Sequence, residues 1–503
     1  MPPIGDPLHL PDALAPAPRQ LTGTKLIHYG PAWDAALEAT RATPEGPVAV
    51  LVFHGMGQQV RYDTISLVAK AILDEAEKLN PQPDAVSPPQ VHVCEDSDGF
   101  LARAEIQWTD SAQQEHNVHV YEAYWAPLTE GKVTYWETVK FLLLAAWNGL
   151  RFSCPCGPRT FKRWMFDEKK TMRIGPYTFL GLIVVLGFLL AQVAIISFVF
   201  FELAQQYKAV IAQPLPVHAT LPFWRAAGQI LLDWLRWLGP FVPGHVVLFN
   251  PKAFGHHWWW EPLRLLAWFG LVAEAFIVRY FIIEFVGDVA AYISPYKDSK
   301  FDELRQKIQD VGLNVGRVIY GFGTQQAAES GAPGKKSHEA QTLVPDYKRV
   351  VIVGHSLGSV LAYDTLNALI NLDNVTPGKP RNVAGRTRAL VTFGSPLDKT
   401  AFIFRMRPHG KQQWIREQLA ASIQPLIISY ALYRPKGFEW VNIWSHWDII
   451  SGELNYYDDP GFPPNHAPCV QNMPDPHANF PLYAHLQYWK NEALRKQLYG
   501  FVV

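Results

Sequence analysis

Cysteine and net charge are what this chain has least of. Four cysteines, Cys94, Cys154, Cys156 and Cys469, are too few and too scattered for a disulfide framework. Cys154-Pro-Cys156 has no second pair to complete a metal site, so the thiols read as reduced and no metal is expected. Lys and Arg total 45, as do Asp and Glu, which removes the electrostatic case for a nucleic-acid partner. Met1–Gln20 is proline-rich and lacks a basic start followed by an apolar core. It does not read as a secretory signal, and residues 1–30 are expected to form an arm. No internal repeat is evident.

Uncharged length, by contrast, is abundant in one place. Gly175–Phe201 runs 27 residues without a charge, and roughly 20 apolar residues suffice to cross a bilayer. A second apolar region, Leu263–Ile293, carries Arg264, Glu274, Arg279, Glu284 and Asp288. Charges are costly in lipid, so this region reads as a second span at 263–288 or as an interfacial or buried helix. Between the two lie Trp224, Trp234, Trp237 and Trp258-Trp259-Trp260, and indole rings favour the headgroup boundary. Arg151, Arg159, Lys162, Arg163, Lys169, Lys170 and Arg173 precede the first region, and Lys297, Lys300, Arg305 and Lys307 follow the second. The positive-inside tendency puts both flanks on the cytoplasmic side.

The most informative local pattern is Val350-Val-Ile-Val-Gly-His-Ser-Leu-Gly. A β-branched apolar run suits a buried strand, and the apolar spacing after Ser356 suits a helix. Gly-x-Ser-x-Gly between a strand and a helix holds the serine on a sharp turn with its oxygen presented. Ser356 is therefore the candidate nucleophile, and the Leu357 N–H at the helix start is a candidate oxyanion donor. Upstream, Val48–Phe53 reads as another buried strand ending in His54-Gly55-Met56-Gly57, followed by a helix over Tyr62–Leu79. Met56, with Gly55 beside it, is the candidate for the second oxyanion N–H.

His54-Gly55-Met56-Gly57, Gly354-His355-Ser356-Leu357-Gly358 and Thr392-Phe393-Gly394-Ser395-Pro396, in that order, resemble the α/β-hydrolase family, in particular its lipase-like members. The gap between the first two motifs is far longer than that family usually shows, and the apolar insertion fills it. The resemblance implies an α/β-hydrolase fold with a mostly parallel central sheet, interrupted by a helical transmembrane or membrane-associated insertion. Residues 31–135 and 299–503 would form the hydrolase domain, and 136–298 the insertion. The family order of nucleophile, acid, histidine points to Asp448, just past the strand-like Trp440–Ser445, with Asp398 as the alternative acid. It points to His485 as the base, just before a helix-like stretch to Leu498, with His477 as the alternative. His355 reads as structural.

The expected activity is a membrane-associated serine esterase acting on a lipid-like ester through a Ser-His-Asp triad, with no cofactor. Its hydrolase domain would face the cytoplasm. The rival readings are an acyltransferase or thioesterase with the same triad, and a non-catalytic membrane scaffold. Phe100–Trp108 and Val118–Trp125 are expected to be strands of an edge hairpin, Ser299–Tyr320 an amphipathic helix, and Gln325–Gln341 a loop.

Overall fold

The computed structural model describes residues 46–57, 59–80, 86–96, 99–130, 160–162, 171–173, 299–322, 345–376, 380–400, 437–448, 450–457, 470–480 and 483–503, plus a few isolated positions. The chain divides into two compact units, Met1–Leu182 with Ile282–Val503, and Ile183–Phe281. The sheet and the site below belong to the first.

β1 (Val48–Phe53) is buried at every position, because its side chains alternate between two cores. Ala49, Leu51 and Phe53 join one, and Val48, Val50 and Val52 the other. The same holds for β7 (Arg349–His355), where Val350 and Ile352 face the first core and Val351 and Val353 the second. Such continuous apolar strands require helices on both faces. α1 (Asp63–Leu79) and the C-terminal α5 (Glu492–Val502) pack together on the second core. α2 (Ser299–Tyr320) and α3 (Leu357–Val375) cover the first.

Among the described residues, the remaining strands are β2 (Gln90–Asp96), β3 (Gly99–Thr109), β4 (Glu115–Ala123), β5 (Thr160–Lys162), β6 (Thr171–Arg173), β8 (Thr387–Phe393), β9 (Glu439–Trp444) and β10 (Gln471–Pro474). Eight of the ten form one sheet in the order β10-β9-β8-β7-β1-β4-β3-β2, and β5 pairs with β6 separately. The run from β10 to β4 is parallel throughout, whereas β3 is antiparallel to both of its neighbours. The architecture is α/β, with a mostly parallel mixed sheet. In register, Phe53 lies beside Gly354, and His355 beside Phe393, so β1, β7 and β8 end at one level. Open α/β sheets present their ligand crevice at that carboxyl edge.

The structure differs from the pattern reading in three places. The β3–β4 hairpin is not at the edge, because β2 pairs outside it. β10, reading Gln-Asn-Met-Pro, has no apolar alternation to announce it, and its register against β9 defines it as a strand. His485 does not precede one long helix. It sits inside a short one, α4 (Ala484–Gln487), followed by a 3-10 turn (Tyr488–Lys490) and then α5. The break is at Asn491, in extended backbone with its side chain bound to Asp475.

Among the described residues, no helix is long and apolar enough to cross a membrane. The expected spans 175–201 and 263–288 lie outside the described residues apart from Gly187 and Leu190, as do the N-terminal arm, the tryptophan-rich stretch, the loop 325–341 and the Cys154–Cys156 pair.

Candidate active site

The turn between β7 and α3 is sharp because three backbones meet there. Ser356 has φ 54° and ψ −130°, outside the regions that L-residues prefer. Its N–H is bound to Phe393 O at 3.0 Å, and its carbonyl accepts the Ser359 N–H at 3.0 Å. Gly354 and Gly358 leave no room for side chains. A Cβ on Gly358 would lie 2.2 Å from His54 O, and one on Gly354 would lie 2.5 Å from Ser359 Cα. The two glycines let α3 start against the ends of β1 and β7, and this holds the serine in its strained geometry. The Ser359 hydroxyl binds Ser356 O and the Ser395 hydroxyl, each at 2.6 Å, which ties the turn to the segment after β8.

Ser356, His485 and Asp448 form one hydrogen-bonded line. His485 Nε2 is 2.8 Å from Ser356 Oγ, and His485 Nδ1 is 2.9 Å from Asp448 Oδ2. Asp448 is charged and only accepts, so Nδ1 carries the proton and Nε2 is free to accept from the serine hydroxyl. Burial of Asp448 opposes its charge. The charge and hydrogen bond of His485, the Ile450 N–H and the nearby Lys399 outweigh burial and hold the carboxyl well below the usual range. Tyr488 donates a further hydrogen bond to Asp448 Oδ2 at 2.9 Å, and Ile450 N–H reaches Oδ1 at 2.9 Å.

His485 is itself positioned. His355 Nε2 lies 3.1 Å from the His485 carbonyl, which can only accept, so His355 is the donor. Burial pushes the His355 imidazole down to about 3 and keeps it neutral. Gly394, at φ +60°, permits close approach on the other side, since a Cβ there would lie 3.1 Å from His485 Cε1. The Ser445 hydroxyl accepts the Trp447 N–H and donates to Ala478 O, joining the acid's loop to the segment before the histidine.

The loop after β1 lies directly over the serine. A Cβ on Gly55 would be 2.9 Å from both Ser356 Cβ and His355 Nδ1, so only glycine fits. His54 Nδ1–H donates to Gly55 O at 2.8 Å, and His54 Nε2 accepts the Trp125 N–H at 3.0 Å. The ring stacks on Trp125, and burial lowers its pKa to about 4. In a trans peptide the N–H points opposite the carbonyl. Holding Gly55 O toward His54 therefore turns the Met56 N–H away from that ring. Among the described residues, neither the Met56 nor the Leu357 N–H meets a hydrogen-bond acceptor. Free N–H donors on the loop over the serine and at the start of α3 are the kind of group that receives a developing oxyanion.

The alternatives sit elsewhere. Asp398 accepts the Tyr456 N–H at 3.1 Å, whereas the carboxylate bound to His485 is that of Asp448. His477 is exposed, and its backbone N–H donates to Asp475 Oδ1 at 2.9 Å. Pattern reading missed Tyr488, Ile450 and Lys399 around the acid, and it gave no role to the His54 ring. Tyr488 comes three residues after His485, so it falls beside the base only because α4 and the 3-10 turn are helical. Among the described residues, no group of three metal-ligating side chains converges.

No protein-family model, no curated protein and no solved structure matches this chain.

Proposed function

We propose that this chain is a serine hydrolase of the α/β-hydrolase fold that cleaves carboxylic esters, its substrate being lipid-like and reached beside a membrane. The hydrogen-bonded line Asp448–His485–Ser356 carries the reading. Serine is a weak nucleophile at neutral pH and needs a base within hydrogen-bond reach. His485 Nε2 takes the Ser356 proton as Oγ attacks the ester carbonyl. Asp448 keeps the tautomer and stabilises the imidazolium. The Met56 and Leu357 N–H groups receive the oxyanion, and one such donor is worth about 10²–10³-fold. His485 then protonates the leaving alkoxide. Water, activated by the same imidazole, hydrolyses the acyl-enzyme and restores the serine. The chemistry needs no cofactor.

The substrate class rests on the uncharged run 175–201 and its basic cytoplasmic-type flank. A site tethered to a bilayer meets esters that carry acyl chains. Two measurements test the reading. A fluorophosphonate should label the wild-type chain on Ser356 and leave Ser356→Ala unlabelled. Equal labelling of both would remove the nucleophile. Membranes washed with alkaline carbonate should retain the protein, and release into the supernatant would remove the integral-span part.

A further inference from the structure

The buried ammonium of Lys399 lies behind the acid, and the mechanism above makes no use of it. Lys399 follows Gly394-Ser395-Pro396 in the segment after β8. Its Nζ donates to Ile450 O and to Ser451 O, each at 2.7 Å. Those two residues are the ones that serve Asp448. Ile450 N–H binds Oδ1 of the carboxylate at 2.9 Å. The Ser451 hydroxyl lies 3.0 Å from Tyr488 Oη, the donor to Oδ2. The ammonium therefore holds the carbonyls of the two residues whose other groups, the Ile450 N–H and the Ser451 hydroxyl, serve the acid.

We propose that Lys399 is a positioning residue of the hydrolytic site. Its ammonium clamps the Ile450–Ser451 carbonyls, so that Asp448 stays aimed at His485 Nδ1. The inference rests on the serine-hydrolase reading and adds a residue that acts through the acid loop. The charges facing the ammonium are Asp448, across the loop, and Asp398, its chain neighbour. Burial outweighs both and brings the lysine down to about 8. A lysine so lowered loses its charge within the working range of an esterase. Arginine at the same place would keep it.

The test is the rate of fluorophosphonate labelling of the full-length protein from pH 6 to 10, for wild type, Lys399→Arg and Lys399→Met. Thermal unfolding of each variant checks its fold. The wild-type rate should reach a plateau and then fall about tenfold through pH 8–9, as the ammonium loses its charge and its hold on the acid loop. Lys399→Arg should stay within several-fold at pH 7 and lose the alkaline fall. Lys399→Met should be about tenfold slow at pH 7 and flat above it. A folded Lys399→Arg that loses as much rate at pH 7 as Lys399→Met overturns the proposal, because a cation at that place would then not be what holds the loop. A folded Lys399→Met that matches wild type in rate and profile also overturns it. Absence of labelling at Ser356 at every pH strikes the hydrolase reading itself, a distinct failure from these two.

Discussion

At Ser356, φ 54° and ψ −130° are tolerated because Gly354, Gly358 and Gly55 let three backbones close around the residue. Each glycine is required by contact, so Gly358→Ala should fail to accumulate as folded protein, read by soluble yield and circular dichroism. The residues in line with the serine should show graded losses. Asp448→Asn should preserve the fold and lower kcat/KM for a short-chain ester by about 10⁴-fold, because the imidazole loses its oriented tautomer. Tyr488→Phe removes one of the donors to the same carboxylate and should cost about tenfold, with kcat falling and KM little changed. The sharp turn at Ser356 and the tight loop at His54-Gly55 were legible because glycine spacing and a β-branched run are local signals. The Tyr488 and Lys399 contacts were not legible, since nothing near either residue in sequence says that the loop of Asp448, 40 or more positions away, will lie within reach.

At the level of elements, α2 packs on α3, the helix that starts at Ser356. The contact is close because Gly312 and Gly316 share a face. A Cβ on Gly312 would lie 2.5 Å from Thr365 Oγ1 and 2.6 Å from Phe53 Cε1, and one on Gly316 would lie 2.6 Å from Leu369 Cδ1. Gly312→Val should force these helices apart and cost about 1–3 kcal/mol in denaturant unfolding. It should also lower activity, because Phe53 ends the strand that leads into the His54–Met56 loop. The amphipathic spacing of Ser299–Tyr320 was enough to read the helix. It was not enough to read its partner, because hydrophobic periodicity names a buried face without naming what buries it.

Across the whole molecule, neutral buried histidines tie stability to pH. His54 and His355 are held near 4 and 3, chiefly by burial, against 6.5 when unfolded. Below pH 6.5 the unfolded chain binds protons that the folded chain refuses. Stability is therefore full above that value and falls as pH drops toward 4, with a slope approaching about 1.4 kcal/mol per pH unit for each histidine. Guanidinium unfolding at pH 7, 6 and 5 should show the midpoint falling. A pH-independent midpoint would mean that neither ring is buried neutral. The loss comes before any titration of Asp448, whose carboxyl is held below the usual range and stays charged throughout that window.

What the sequence determined by itself were features written in neighbouring residues. These are the buried strands at Val48–Phe53 and Val350–Val353, the helices at 63–79 and 299–320, and the serine between two glycines. Such features depend on side-chain period and on the space at one turn, both of which are local. Tertiary structure decided the strand order, the outer place of β2 and the capture of β10, a segment with no strand pattern. It also decided that His485 meets Asp448 across 37 positions and Ser356 across 129. Those meetings depend on which strands lie side by side, since parallel pairing brings the ends of β7, β8 and β9 to one edge whatever the chain length between them.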